Sequence, residues 1–239
     1  MQIQLNYRFT SNSARLKIEG YTPTNDRPQY NYTAQRPNGK MEQVNTFTQN
    51  VENKITTNIV LFFDMDGTLV NTNLANFLSY NKAIQSVTKS KHELTYNPFK
   101  RFNRSELKKI SPNLTKIEYE RIIQKKEQYY KEFQHETKLN PVVANILFKY
   151  SKTNKTVLVT NCREERAILT LNYHDLKDKF TNFFFRQFSD NSNEKINKYS
   201  YAIQTLGLSP NLIMVFENEE SEIDDAIQAG INSYNIIKF

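Results

Sequence analysis

Two aspartates one residue apart, Asp64 and Asp66, close the apolar run Ile59-Val-Leu-Phe-Phe63 and are followed by Gly67 and Thr68. An unbroken apolar run of this kind predicts a strand buried on both faces, as in a parallel sheet. Carboxylates so close together repel each other and resist ionising unless a cation balances them. The carboxyl end of a parallel strand is also where open α/β sheets hold their ligands. Magnesium suits the position, because it accepts one or two carboxylates and completes its shell with water and phosphate oxygens. The plainer alternative is a strand-to-helix turn whose acids only cap the helix.

Other candidates stand where further strands should end. Thr156-Val-Leu-Val159 is a second apolar run, closed by Thr160 and Asn161. The spacing from Asn161 to Glu164 matches a helix N-cap, which would aim free N–H groups at an anion. Lys195 and Lys198 precede a helical segment that starts at Tyr199, and a strand over 212–216 runs into Glu217-Asn218-Glu219. Ile223, Ala226 and Ile227 then form the apolar face of a helix closed by Gly230.

Between the first two strands lies a helical insert. Leu74, Phe77, Leu78, Ile84 and Val87 make one stripe; Tyr119, Ile122, Ile123, Tyr130 and Phe133 make another behind the capping-box spacing of Thr115 and Glu118. That phase leaves Lys125, Lys126, Lys131 and Glu132 for solvent. Pro141 ends the insert and opens a further helix. Lys100, Arg101 and Arg104 lie on a basic loop between the stripes.

The segment Asp64-Met-Asp-Gly-Thr-Leu69 resembles the first motif of the haloacid dehalogenase-like superfamily, most of whose members are magnesium-dependent phosphatases. The resemblance implies that Asp64 is the nucleophile that takes up a phosphoryl group and that Asp66 is the acid and base. It implies that Thr160 and Asn161 bind the phosphate, and that Lys195, with Lys198 in reserve, bridges the nucleophile and the phosphoryl group. Magnesium would be held by Asp64, Asp66, Glu217 and Asn218, the last standing where an aspartate is expected. The insert is similar to the helical cap of the β-phosphoglucomutase and phosphoglycolate phosphatase branch. In that branch Arg104 would reach over the site to hold the far part of the substrate.

Composition and charge set the frame. The chain has 239 residues, 38 % of them hydrophobic, and a net charge of +7. Residues 1–56 contribute +3, residues 73–150 contribute +8, and the remainder −4. The basic character therefore sits in the insert, where solvated helix faces and attraction of an anionic substrate account for it better than a nucleic-acid surface. One cysteine, Cys162, rules out an intramolecular disulfide, and three scattered histidines give no zinc cluster. No run has the length of a membrane span and no secretory leader follows Met1, so a cytoplasmic location is expected, with non-classical export left open.

The expected architecture is α/β, with a Rossmann-like, mainly parallel sheet formed by 57–72 and 151–239, a helical cap over 73–150, and a polar N-terminal extension over 1–56. In that extension Ile3, Leu5, Tyr7 and Phe9 alternate as in a strand, and 15–20 is its expected partner. Residues 21–50 read as an extended polar arm, a candidate surface for a protein partner. The expected activity is magnesium-dependent hydrolysis of a small phosphomonoester. A phosphomutase of the same family is the close alternative. The other is a catalytically impaired binding module, because Asn218 brings no charge to the metal.

Overall fold

The computed structural model describes residues 15–22, 29–35, 41–42, 45–89, 94–187 and 195–239. The chain forms two compact units, Met1–Thr56 and Thr57–Phe239. In the first, β1 (Arg15–Thr22) pairs antiparallel with β2 (Gln29–Gln35), β2 pairs antiparallel with β3 (Met41–Glu42), and α1 (Asn45–Glu52) follows. The expected strand over Ile3–Phe9 lies outside the described residues. Residues 29–35, expected to belong to an extended polar arm, form a strand paired with 15–22. Its Tyr, Thr and Ala residues suit a strand despite their polarity.

The second unit is an α/β fold. In order it contains β4 (Val60–Phe63), β5 (Val70–Asn71), α2 (Asn73–Thr88), α3 (Arg104–Ile110), α4 (Lys116–Phe133), β6 (Lys138–Leu139), α5 (Pro141–Tyr150), β7 (Thr156–Val159), α6 (Glu164–Tyr173), β8 (Asn182–Phe184), α7 (Lys198–Leu206), β9 (Ile213–Glu217), α8 (Glu220–Gln228) and β10 (Ile236–Lys238). Five of the strands make a parallel, Rossmann-like sheet in the order β10-β9-β4-β7-β8. The most apolar run, β4, takes the centre, where all four of its residues are buried. Phe63 stacks on Phe216 of β9 with ring centroids 4.6 Å apart. Burying a side chain of this size contributes about 1.5–3 kcal/mol.

The ladder continues past the strands and thereby aligns their ends. The Asp64 N–H donates to the Phe216 carbonyl at 3.1 Å, and the Thr160 N–H to the Phe184 carbonyl at 2.9 Å. Asp64, Thr160 and Glu217 therefore stand on one edge of three adjacent strands. Behind Asp66 the chain turns at Gly67, whose φ is +92° and whose missing Cβ would lie 2.6 Å from Asn218 Nδ2. Both the backbone conformation and the contact require glycine.

The insert is tied to the core where it leaves and returns. Val70 pairs with Leu139 and Asn71 with Lys138, antiparallel, and the Asn140 N–H donates to the Leu69 carbonyl. These bonds bracket residues 72–137. Helix α5 comes after the clasp and leads into β7. Inside the cap, α2 and α4 pack around Tyr80, Ala83, Ile84, Leu107, Ile122 and Ile123. Thr115 and Glu118 form the capping box that starts α4.

One side chain departs from the helical phase. Lys126, expected in solvent, is 3 % exposed, with its Nζ 5.4 and 5.5 Å from the ring centres of Tyr80 and Tyr130 and 3.4 Å from Glu127. Burial first, and then the charge of Arg166, lowers its pKa from the usual lysine value to about 7. The unfolded chain holds that proton up to the ordinary lysine range, so the charge penalty on folding is nearly complete at or below pH 7 and fades as pH rises toward 10. Lys126→Met should therefore raise Tm by several degrees at pH 6–7, an effect that thermal unfolding followed across pH should show closing by pH 10. A gain that is constant over that range, or absent at pH 6, would show that the ammonium carries no penalty.

Candidate active site

Lys198 is the first residue of α7, and three carboxylates close on its ammonium. Its Nζ lies 2.8 Å from Asp64 Oδ1, 2.9 Å from Glu217 Oε2 and 2.7 Å from Glu222 Oε2. A cation at a helix N-terminus works against the helix dipole. Burial also opposes the charge, but Asp64 and the other acidic neighbours outweigh it and hold the pKa well above the usual lysine value. Asn197 caps the helix by accepting from the N–H groups of Tyr199 and Ser200, which fixes the lysine backbone. Lys195, the residue expected to bridge the nucleophile, sits elsewhere. It pairs with Glu222 at 2.9 Å and Asp225 at 3.3 Å, with a side chain 35 % exposed. The difference is one of phase: Lys198 lies on the first turn of α7, beside the strand ends, whereas Lys195 lies ahead of the helix.

The expected metal ligands divide. Glu217 is wholly buried and both of its oxygens are occupied. Oε1 accepts the N–H groups of Asn218 and Glu219, and Oε2 accepts Lys198 Nζ and the Tyr199 hydroxyl. It buttresses Lys198 in this arrangement and also lines the cavity described below. Asn218 Oδ1 accepts the Thr68 hydroxyl at 2.9 Å, and its amide nitrogen lies against Gly67. It is turned onto the first turn and does not line the cavity described below.

The Asp66 side chain is also engaged. Oδ1 accepts the Thr72 hydroxyl at 2.5 Å, and Oδ2 pairs with Arg101 at 2.9 Å and Arg166 at 3.0 Å. Burial raises its pKa, but Arg101, Arg166 and Thr72 together carry it well below the usual carboxylate range. Arg101 comes from the cap and Arg166 from α6, so this carboxylate joins the two parts of the unit. For Asp64 the balance runs the other way. Burial and then Glu217 push its carboxyl upward, against Lys198.

A cavity of about 290 Å³ opens over these groups. Asp64, Asp66, Thr160, Asn161 and Arg104 all line it, whereas Lys195 does not. Thr160 is buried and its Oγ1 accepts the Cys162 N–H, so its hydroxyl proton points elsewhere. The Asn161 amide donates to both oxygens of Glu222, at 2.7 and 2.5 Å. It does not cap the next helix: the cap residue of α6 is Arg163, and no side chain caps that end. Arg104 is half-buried on the cap side of the cavity and makes no hydrogen bond or ion pair among the described residues.

Four participants escaped the sequence reading: Glu222, Arg101, Arg166 and Lys126. Glu222 was legible in principle, since it lies on the first turn of a helix that follows a strand end. Arg101, Arg166 and Lys126 meet only through tertiary contacts, and no spacing announces them.

The acidic end fits a divalent cation. Asp64, Glu217 and Glu222 surround a single buried ammonium and only Glu222 has a second one, Lys195, which leaves this end net negative, and Glu219 stands at the cavity wall with a pKa raised by burial and then, against Arg101, by Glu222 and Glu217. Asp64 Oδ2 has no hydrogen-bond donor among the described residues. Among those residues no group of three or more His, Cys, Asp or Glu side chains is arranged to hold a metal ion on its own, because Lys198 occupies the centre of the acidic group.

The comparisons agree with this geometry. The family model described as haloacid dehalogenase-like hydrolase matches residues 61–236. A phosphorylated carbohydrates phosphatase of Thermotoga maritima is 27 % identical over 182 residues, covering 72 % of this chain and 81 % of that one. Among solved structures, a haloacid dehalogenase-like family hydrolase from Streptococcus pneumoniae matches with a TM-score of 0.59 at 19 % identity, covering 74 % of this chain and 84 % of its own. CbbY from Rhodobacter sphaeroides, in complex with phosphate, matches with a TM-score of 0.60 at 15 % identity, covering 75 % and 84 %.

The two lysines should separate in stability measurements. Removing one partner of a buried charge cluster costs about 3–5 kcal/mol, whereas a partly exposed pair contributes about 1 kcal/mol or less. Lys198→Met should fall in the first class and Lys195→Met in the second when urea unfolding is compared at pH 7. Glu217→Gln added to Lys198→Met should recover part of the loss. Equal effects of the two lysine substitutions would contradict the assignment.

Proposed function

The chain belongs to the haloacid dehalogenase-like hydrolase family, and on that footing we propose that it is a phosphatase acting on small phosphomonoesters through an aspartyl-phosphate on Asp64, with magnesium as the cation. The observation that carries this reading is the buried Asp64–Lys198 pair at the carboxyl edge of the parallel sheet, facing a cavity. The name of the Thermotoga maritima relative points to the same chemistry.

Each residue has a task in this reading. An Asp64 oxygen attacks phosphorus in line as the ester P–O bond breaks. Lys198 neutralises charge on the nucleophile and on the transferring oxygens, and the Thr160 hydroxyl and the uncapped N-terminus of α6 donate to those oxygens. The leaving oxygen takes a proton from Asp66. In the second step Asp66 takes a proton from water, which attacks the aspartyl-phosphate, releases inorganic phosphate and restores Asp64. As a base Asp66 is ready, but to deliver a proton it must first leave Arg101 and Arg166, because a carboxylate so paired holds none at neutral pH. Asp64, the main-chain carbonyl of Asp66 and Glu219 would hold magnesium, which would neutralise charge on the phosphoryl oxygens.

A panel of sugar phosphates, carboxyalkyl phosphates and nucleotides assayed for phosphate release, with magnesium and with a chelator, tests the proposal. Activity should require the metal, and Asp64→Asn should lower kcat by at least about a thousandfold without loss of folded structure. Retention of more than about a hundredth of the activity in Asp64→Asn would rule out the covalent route.

A further inference from the structure

In-line displacement sends the leaving oxygen out on the side of phosphorus opposite the nucleophile. Asp64 stands at the carboxyl end of β4, so that side faces the cap wall of the cavity. An alkoxide leaves readily from there only when an acid meets it. Asp66 is otherwise engaged: its Oδ1 accepts the Thr72 hydroxyl at 2.5 Å, and its Oδ2 pairs with Arg101 at 2.9 Å and Arg166 at 3.0 Å. A carboxylate held by a hydroxyl and two guanidinium groups is an acceptor, not a donor.

The ionisable side chains on the cap wall are Tyr80, Arg101, Arg104, Lys126 and Glu127. Guanidinium groups do not release a proton in the working range of an enzyme, which sets both arginines aside. Burial pushes the Tyr80 hydroxyl above its usual range. Glu127 is the anion that Lys126 faces at 3.4 Å and Arg166 at 3.7 Å. That leaves Lys126. Its Nζ lies 5.4 Å from the ring centre of Tyr80 on α2 and 5.5 Å from that of Tyr130 on α4. The side chain is 4 % exposed, and its one ion-pair partner among the described residues is Glu127. An ammonium so enclosed and so thinly paired gives up its proton more readily than one in water. Burial first, then Arg166, together with Arg101, outweigh Glu127 and Asp66 and bring its pKa to about 7, where an acid serves best at neutral pH.

We infer that the Lys126 ammonium is the acid that protonates the leaving oxygen while Asp66 stays in its ion pairs. This rests on the phosphatase reading above. As the ester P–O bond breaks, a proton passes from Nζ to the leaving oxygen, which departs as an alcohol and leaves a neutral amine. Asp66 keeps the task of the base. The proton it takes from water in the second step passes on to the amine, the stronger base of the two, and restores the ammonium. Acid and base are then separate residues, one on the cap and one on the first turn after β4.

The dependence on the leaving group tests this, because a nitrophenolate departs without a proton and an alkoxide does not. Wild-type protein, Lys126→Met and Lys126→Arg are assayed with magnesium on propyl phosphate, glucose 6-phosphate and p-nitrophenyl phosphate, with Tm measured for each variant. Lys126→Met should lower kcat/KM on the better alkyl ester at least about tenfold more than on the nitrophenyl ester. Lys126→Arg keeps the charge but releases no proton, so it should show the same selective loss. Wild-type kcat/KM on the alkyl ester should also fall as pH rises past about 7, and this limb should vanish in Lys126→Met. A smaller difference between the esters would overturn the inference and make Lys126 a structural residue. Alkyl-ester activity retained in Lys126→Arg would overturn it too, since charge alone would then suffice. If the wild type hydrolyses the nitrophenyl ester and neither alkyl ester, the inference falls alone. If it hydrolyses none of the three, the phosphatase reading falls and takes the inference with it.

Discussion

The ammonium of Lys198 is the constraint on which the rest of this structure depends. The sheet ladder brings the ends of β4 and β9 together, α8 follows β9, and one buried cation balances the carboxylates of Asp64, Glu217 and Glu222 that meet there. Without it, burial would force these carboxyls to take up protons or move apart. Other details serve its position. Asn197 caps α7 so that Lys198 starts the helix at the sheet edge, and the Tyr199 hydroxyl with two backbone N–H groups fills the remaining acceptor sites of Glu217. Glu217 is thereby fixed, and through it so is the position of Lys198 beside Asp64.

A second charge cluster, of opposite sign, faces the first across the cavity. Asp66 belongs to the motif that supplies Asp64, yet its side chain turns away to Thr72, Arg101 and Arg166. Thr72 lies just beyond the β5–β6 clasp and Arg101 lies in the cap, so this carboxylate connects the catalytic turn to the hinge and to the insert. Movement of the cap would have to exchange these pairs. Because they are largely buried, exchange is favourable only when another anion takes the guanidinium groups.

The fold was legible because its signals are local. The unbroken apolar runs ending at Asp64 and Thr160 specify strands buried on both faces, and the capping box at Thr115 and Glu118 and the glycine after α8 mark helix ends. The site was legible where it is tied to those strand ends, which placed Asp64, Asp66 and Thr160 beside the cavity. It was not legible where a choice depended on three-dimensional phase. Lys195 and Lys198 are both candidates by spacing, and only the start of α7 decides between them. Lys126 shows the same limit. A helical stripe assigns it to solvent, but the side chain lies under Tyr80 and over the cavity, where a long aliphatic stem can follow apolar surface. The segment 29–35 failed for a different reason, since strand pairing in the first unit relies on residues whose polarity masks the alternation.

Asn218 can then be understood as part of a charge balance rather than as a lost ligand. The three carboxylates around Lys198, one of which also pairs with Lys195, leave this end net negative. An aspartate at 218 would add a further charge beside Gly67 and Thr68, where the present amide gives its oxygen to the Thr68 hydroxyl and sets its nitrogen against the glycine turn. Glu222 supplies a carboxylate that already pairs with Lys198, Lys195 and Asn161, so the acidic end keeps enough charge to attract a hard cation without it. A neutral residue at 218 therefore leaves the negative charge of this end to Asp64, Glu217 and Glu222, which Lys198 holds in place.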